Sequence, residues 1–260
     1  MTERNLSLAS ETDEYNYREY FRATQTATWG FLMALPLIIL YELGIVWVNN
    51  GRSEVIRISS ESVLKNLFSG FGLAHELILL GSVLIIGVAI LIYERKKKIS
   101  FNVRYSVWVM IESAAYGVIL AFVVSGITQM LLSPLMISQV MDHGLAMKLV
   151  LSLGAGIYEE LLFRVVIVGG FFLLLRLAFP KQRILMYAVA AVIGAISFSA
   201  VHHLGSLGDP WALDVFLYRA IFGLVFNILF LVRGFAVVAW THALYDVMVV
   251  TGFFSLLQSI

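Results

Sequence analysis

Read for runs of apolar residues, the chain divides into stretches of about 20, the length that crosses a bilayer as a helix. The first runs from Trp29 to Val48, the second from Phe71 to Tyr93 and the third from Tyr105 to about Leu132. A fourth region, Leu145 to Phe179, is too long for one straight crossing and carries two natural breaks, Gly154-Ala155-Gly156 and Gly169-Gly170. The fifth runs from about Ile184 to His203, the sixth from Leu213 to Val232 and the seventh from Phe235 to about Leu256. The pattern predicts an all-α fold: a polytopic membrane helix bundle of about seven transmembrane helices, or eight if the fourth region holds two segments. Residues 1–28 are polar and mixed in charge. They lack the basic start and immediate apolar segment of a cleaved signal peptide. They read as a polar N-terminal leader on the cytoplasmic side, with a short amphipathic helix around Tyr15 to Phe21 at the membrane surface. With no internal repeat in view, residues 29–260 form a single transmembrane helical domain.

Composition agrees with this reading. Of 260 residues, 60% are hydrophobic and only 13% charged, with a mean hydropathy of +0.89; a soluble domain carries about 25% charged residues. The net charge of +1 gives no case for nucleic acid. The chain has no cysteine, which removes disulfides, thiolate nucleophiles and thiolate metal ligands.

Loop charges set an expected orientation. Arg95, Lys96, Lys97, Lys98 and Arg104 crowd the connection between the second and third spans, which is therefore cytoplasmic. Alternation over seven spans places the N-terminus inside with Arg4, Arg18 and Arg22, together with Arg176, Lys181, Arg183 and the tight turn at Arg233. The opposite loops hold Arg52, Arg57, Lys65 and Lys148.

Against this background the ionisable residues inside spans stand out, because such groups are costly in hydrocarbon and mark functional sites by default. They are Glu42, Glu112, Glu159, Glu160, Arg164, His202, Arg219, His242 and Asp246, with His75, Glu76 and His203 near span ends. In the stretch Tyr158-Glu159-Glu160-Leu161-Leu162-Phe163-Arg164, residues four apart share a helix face whereas neighbours diverge by about 100°. Glu160 and Arg164 can therefore neutralise one another as a structural pair. Glu159 is left pointing elsewhere and needs a partner on another helix, or a water. His202 closes the fifth span, and His242 and Asp246 stand at i and i+4 on the seventh. As chemistry, Glu159 with a histidine could hold and deprotonate a water, while His242 and Asp246 position or stabilise an oxyanion. The same residues also fit a two-histidine, one-carboxylate zinc site, although the spacing is not H-E-x-x-H. Glu42 and Glu112, with no motif around them, read as structural pairs or cavity lining; Arg219 reads as structural, snorkelling or paired with an acid.

Glu159-Glu160-x-x-x-Arg164, then Phe198-x-x-x-His202, then His242-x-x-x-Asp246 on successive helices resembles the CAAX protease and bacteriocin-processing family of intramembrane endopeptidases. The resemblance covers about residues 145–250. It implies hydrolysis of a peptide bond of a membrane-associated protein or peptide, in the bacterial cytoplasmic (inner) membrane, with the lipid bilayer as surroundings. It also implies that Glu159 and His202 activate water, that His242 and Asp246 stabilise the transition state or orient substrate, and that Glu160, Arg164 and Phe198 support them. On the glutamate-type view of the family no metal or other cofactor is required; zinc is the alternative. Asp246 departs from the asparagine of the eukaryotic enzymes, and an ionised aspartate cannot donate to an oxyanion. It would instead orient His242 or be protonated. The rival readings are a non-catalytic immunity or scaffold protein and a proton-coupled transporter; the latter lacks the inverted repeats common to transporters.

Overall fold

A computed structural model describes residues 17–50, 56–68, 75–97, 99, 101–131, 144–204, 208 and 210–258. The first 16 residues of the leader lie outside these. The described elements are α1 (17–24), α2 (Ala27–Val48), α3 (Ser59–Phe68), α4 (His75–Glu94), α5 (Val103–Leu131), α6 (Leu145–Ala178), α7 (Arg183–Val201), α8 (Leu213–Val250) and α9 (Phe253–Gln258). No strand occurs among the described residues. This is the expected solution in hydrocarbon, where every backbone N–H and C=O must be satisfied within the segment.

Five helices, α2, α5, α6, α7 and α8, are long and apolar enough to cross a bilayer, and α4 adds a shorter apolar stretch, Gly81–Glu94. At 38 residues a straight α8 would measure about 57 Å, about twice what one crossing needs. It is broken at Gly234, whose φ of 78° and ψ of −175° interrupt the helix. The two arms, 213–233 and 235–250, turn back on each other: Phe226 faces His242, and the Tyr218 and Tyr245 hydroxyls meet at 2.8 Å. With these arms counted separately, the structure has an apolar helix for each of the seven expected spans. The turn requires glycine, because a left-handed φ penalises any side chain and a Cβ would sit 3.2 Å from the Gln25 carbonyl oxygen.

The two arms of α8 form the centre of the bundle, with α5, α7, α2 and α6 packed around them. Residues 236–243 are buried without interruption. The outer faces of the surrounding helices show Ile85, Val103, Trp108, Leu177 and Ile184, which suits contact with lipid rather than water.

Polar side chains inside the bundle gather in two clusters at opposite ends. At the end where α2 and α5 begin, the Glu94 carboxylate accepts from the Thr28 N–H (2.8 Å) and hydroxyl (2.7 Å), capping α2 from another helix. Close by, Arg233 pairs bidentately with Glu112, donates to the Thr24 hydroxyl and lies 3.8 Å over the Phe21 ring. Tyr20 also donates to Glu112. Arg233 therefore does not act as an exposed loop charge, as the count of basic residues assumed: it is completely buried. Helix α1 overlaps the amphipathic stretch expected in the leader, and it is held by this pair through Tyr20, Phe21 and Thr24. The other end holds the acids and histidines discussed next.

Removing one partner of a buried ion pair leaves the other charge uncompensated, at a cost of about 3–5 kcal/mol. Arg233→Met is therefore expected to lower the melting temperature of the detergent-purified protein strongly. The double variant Glu112→Leu/Arg233→Met should recover most of the loss, and thermal unfolding of the three proteins measures both effects.

Candidate active site

Helix α6 changes its hydrogen bonding where the acids occur. Ala155–Glu159 and Leu161–Val168 adopt the wider i→i+5 pattern of a π-helix on either side of Glu160. Such turns carry one extra residue per helix and frequently mark functional positions. Expected breaks at Gly154-Ala155-Gly156 and Gly169-Gly170 thus appear as the limits of a widened but continuous helix. Gly156 makes the widening useful. A Cβ there would lie 2.5 Å from the Ala239 carbonyl oxygen and 2.6 Å from the Ala243 methyl, so only glycine lets α6 approach the second arm of α8 this closely.

That approach brings the acids to His242. Glu160 is fully buried, and each of its oxygens has a partner: Oε2 lies 2.9 Å from Arg164 Nε, and Oε1 accepts from His242 Nδ1–H at 2.6 Å. A carboxylate can only accept, which places the proton on Nδ1 and turns Nε2 toward the site. His242 Nε2 is then 3.9 Å from Glu159 Oε2 and 3.6 Å from Asp246 Oδ2. His202 is set the same way, its Nδ1–H donating to the Phe198 carbonyl at 2.7 Å, so that its Nε2 faces Glu159 Oε2 at 3.6 Å. These separations exceed a direct hydrogen bond, and one water oxygen can reach both groups.

The supporting residues close the site from below. Arg164 is completely buried, and its guanidinium carbon lies 4.9 Å from the Phe198 ring centre and 5.6 Å from that of Phe226. Cation–π attraction adds to the ion pair with Glu160. Phe198 also packs on the His202 ring at 4.7 Å, tying the second motif to the first. All seven residues singled out by the motifs, Glu159, Glu160, Arg164, Phe198, His202, His242 and Asp246, therefore converge. The structure separates the adjacent glutamates as expected, but the bond that orients His242 comes from Glu160 rather than from Asp246. The structural pair thus also belongs to the site.

Above these groups is a cavity of about 190 Å³, lined in part by Glu159, Phe163, His202, Arg219, Arg57 and Ser60. The Glu159 side chain retains 11% exposure and His202 24%, against none for Glu160. The cavity volume falls below the ~300–1,000 Å³ typical of clefts that hold a whole small ligand. Sequence reasoning missed the contribution of the α2–α3 connection to this wall. Arg57 pairs with both oxygens of Glu42 (3.2 Å each) and with Glu61, while Tyr158 donates to Glu42 and Tyr41 to Glu61. Arg57 and Glu61 stand four residues apart, whereas Glu42, Tyr41 and Tyr158 meet them only through the fold. Among the described residues, no group of three or more His, Cys, Asp or Glu forms a metal-holding arrangement.

Residues 141–248 match the family model described as Type II CAAX prenyl endopeptidase Rce1-like, a segment that contains all seven converging residues. No curated protein and no solved structure matches the chain.

The tight seat of Gly156 makes a direct check. Gly156→Val forces the α6 π-turn away from Ala239 and Ala243, and overpacking of this kind costs about 1–3 kcal/mol. A lower melting temperature is expected for Gly156→Val and a smaller drop for Gly156→Ala. An unchanged value for Val would contradict the close approach.

Proposed function

We propose that this integral membrane protein, whose residues 141–248 match the Rce1-like CAAX endopeptidase family model, hydrolyses a peptide bond of a membrane-associated protein or peptide, using water activated by Glu159 together with His202. The observation that carries the reading is the meeting of Glu159 Oε2 with His202 Nε2 and His242 Nε2, at 3.6 and 3.9 Å, beside a cavity. A water between Glu159 and His202 gives a proton to Glu159 as its oxygen attacks the substrate carbonyl carbon. The carbonyl π electrons move to oxygen, forming an oxyanion that His242 Nε2–H faces. When the oxyanion collapses, the C–N bond breaks and the departing nitrogen takes the proton held by Glu159, leaving a carboxylic acid and an amine. Asp246 holds the charge of His242 rather than donating to the oxyanion.

The loop charges support an N-terminus in the cytoplasm. On that orientation, the cavity-lining residues from the α2–α3 and α7–α8 connections favour a mouth at the non-cytoplasmic face. Substrates of the prenylated CAAX type named by the family are one class to test, and unprenylated membrane-anchored peptides another.

In proteoliposomes supplied with farnesylated CAAX peptides and unprenylated lipid-anchored peptides, mass spectrometry is expected to detect cleavage by the wild type. Glu159→Gln should lower kcat by ~10²–10⁴, the usual worth of a general base. Equal behaviour of the two proteins would sink the protease reading. Chelator is expected to leave the rate unchanged, whereas loss of activity restored by zinc would select a metalloprotease. Asp246→Asn is expected to reduce the rate by weakening the charge on His242; a rate equal to wild type would show that the carboxylate is dispensable.

A further inference from the structure

Resting on the endopeptidase reading, one group in the cavity wall remains outside the mechanism above. We propose that Arg219 is a further catalytic residue, whose guanidinium stabilises the oxyanion formed when the Glu159-activated water attacks the substrate carbonyl.

Arg219 lines the cavity together with Glu159 and His202. It lies on the first arm of α8, and Phe222 and Phe226 follow it at i+3 and i+7, on the same helix face. Those two rings pack against His242, with centroids 5.5 and 5.3 Å away. The face that bears Arg219 is therefore the one turned toward the reacting groups, and Arg219 occupies its cavity end. Its charge acts on both Glu159 and Asp246.

His202 Nδ1–H is committed to the Phe198 carbonyl and His242 Nδ1–H to Glu160. His242 Nε2 faces Asp246 as well as Glu159, and ionised Asp246 competes with an oxyanion for its proton. Ionised Asp246 can only accept. Arg164 is completely buried against Glu160 and Phe198, below the cavity. By the time the oxyanion forms Glu159 has taken the water proton and Glu160 is held by Arg164 and His242, so ionised Asp246 is the acid left to oppose the new charge. A guanidinium carries a permanent charge and donors in a rigid fork, so Arg219 can donate to the oxyanion while keeping its field on the acids.

In the step itself, the water oxygen bonds to the carbonyl carbon, the water proton goes to Glu159, and the carbonyl π pair becomes the oxyanion lone pair that accepts from Arg219. Collapse returns that pair to the C=O bond, breaks the C–N bond and delivers the proton to the leaving nitrogen. Arg219 neither gains nor loses a proton over the cycle.

The test compares wild type, Glu159→Gln, Arg219→Lys and Arg219→Gln in proteoliposomes on one cleavable lipid-anchored peptide and on its phosphonate analogue, a tetrahedral anion resembling the oxyanion. Arg219→Gln is expected to lower kcat by ~10²–10³, the usual loss for one oxyanion donor, with KM little changed. Affinity for the phosphonate should fall in parallel, while affinity for an uncleaved amide peptide stays. Arg219→Lys should retain part of the rate and guards against a variant that fails to fold. A rise in KM alone would overturn the assignment and make Arg219 a ground-state anchor for an anionic substrate group. Equal loss of melting temperature and rate in both variants, with phosphonate affinity unchanged, would make it a structural counter-ion and also overturn it. If wild type cleaves, Glu159→Gln does not and Arg219→Gln matches wild type, only this assignment fails. If wild type neither cleaves nor prefers the phosphonate, the endopeptidase reading fails with it.

Discussion

A charge buried away from water loses several kcal/mol of solvation, and a bilayer-spanning helix offers it almost no way out except another charge. Glu160 meets this constraint with two partners, Arg164 within its own helix at 2.9 Å and His242 across the bundle at 2.6 Å. The first contact, an ion pair, makes the acid tolerable. The second uses it to fix the position and tautomer of a histidine from the seventh span, and the geometry around Glu159 depends on that. Without it, His242 Nε2 would have no reason to face Glu159 and Asp246. A pair that could have been purely structural is therefore also the support of the site.

Much of this was legible from residue spacing. Periodicity of 3.6 separates Glu159 from Glu160 and sends Arg164 to the latter, and the π-helical turns do not undo that division, because the i, i+4 pair still closes. Apolar runs of about 20 residues locate the helices to within a few positions, since in hydrocarbon the length of a run is a physical requirement rather than a preference. Phe198 and His202, one turn apart at the end of α7, appear where the motif puts them, and the ring of one packs on the other.

What the sequence did not reveal depends on contacts between distant segments. Arg233 looks like an ordinary loop cation beside a tight turn, and only the approach of Glu112, 121 residues earlier, explains why it is buried. Arg57 is similar, a loop residue whose role appears once Glu42 and Glu61 are seen on either side of it. The widening of α6 was also hidden. Glycines announce a weak point in a helix but not its outcome, and here the outcome was set by the backbone of α8 pressing on Gly156.

The reversal at Gly234 joins the two polar clusters into one design. His242 lies eight residues beyond Gly234, about 12 Å along the second arm. Arg233 immediately precedes the turn and is held to Glu112 and Thr24. Anchoring the turn at one end of the bundle thus sets the register of both arms at the other. That register decides whether Phe222 and Phe226 back His242 and whether Arg219 enters the cavity wall. The depth difference between His202, at the end of its helix, and His242, well inside its own, follows from this arrangement. Glu159 spans it by sitting on a widened turn in the middle of α6, within 4 Å of both histidines. A site assembled this way needs neither a long loop nor a break in α6, only one glycine that turns the chain and another that lets two helices approach.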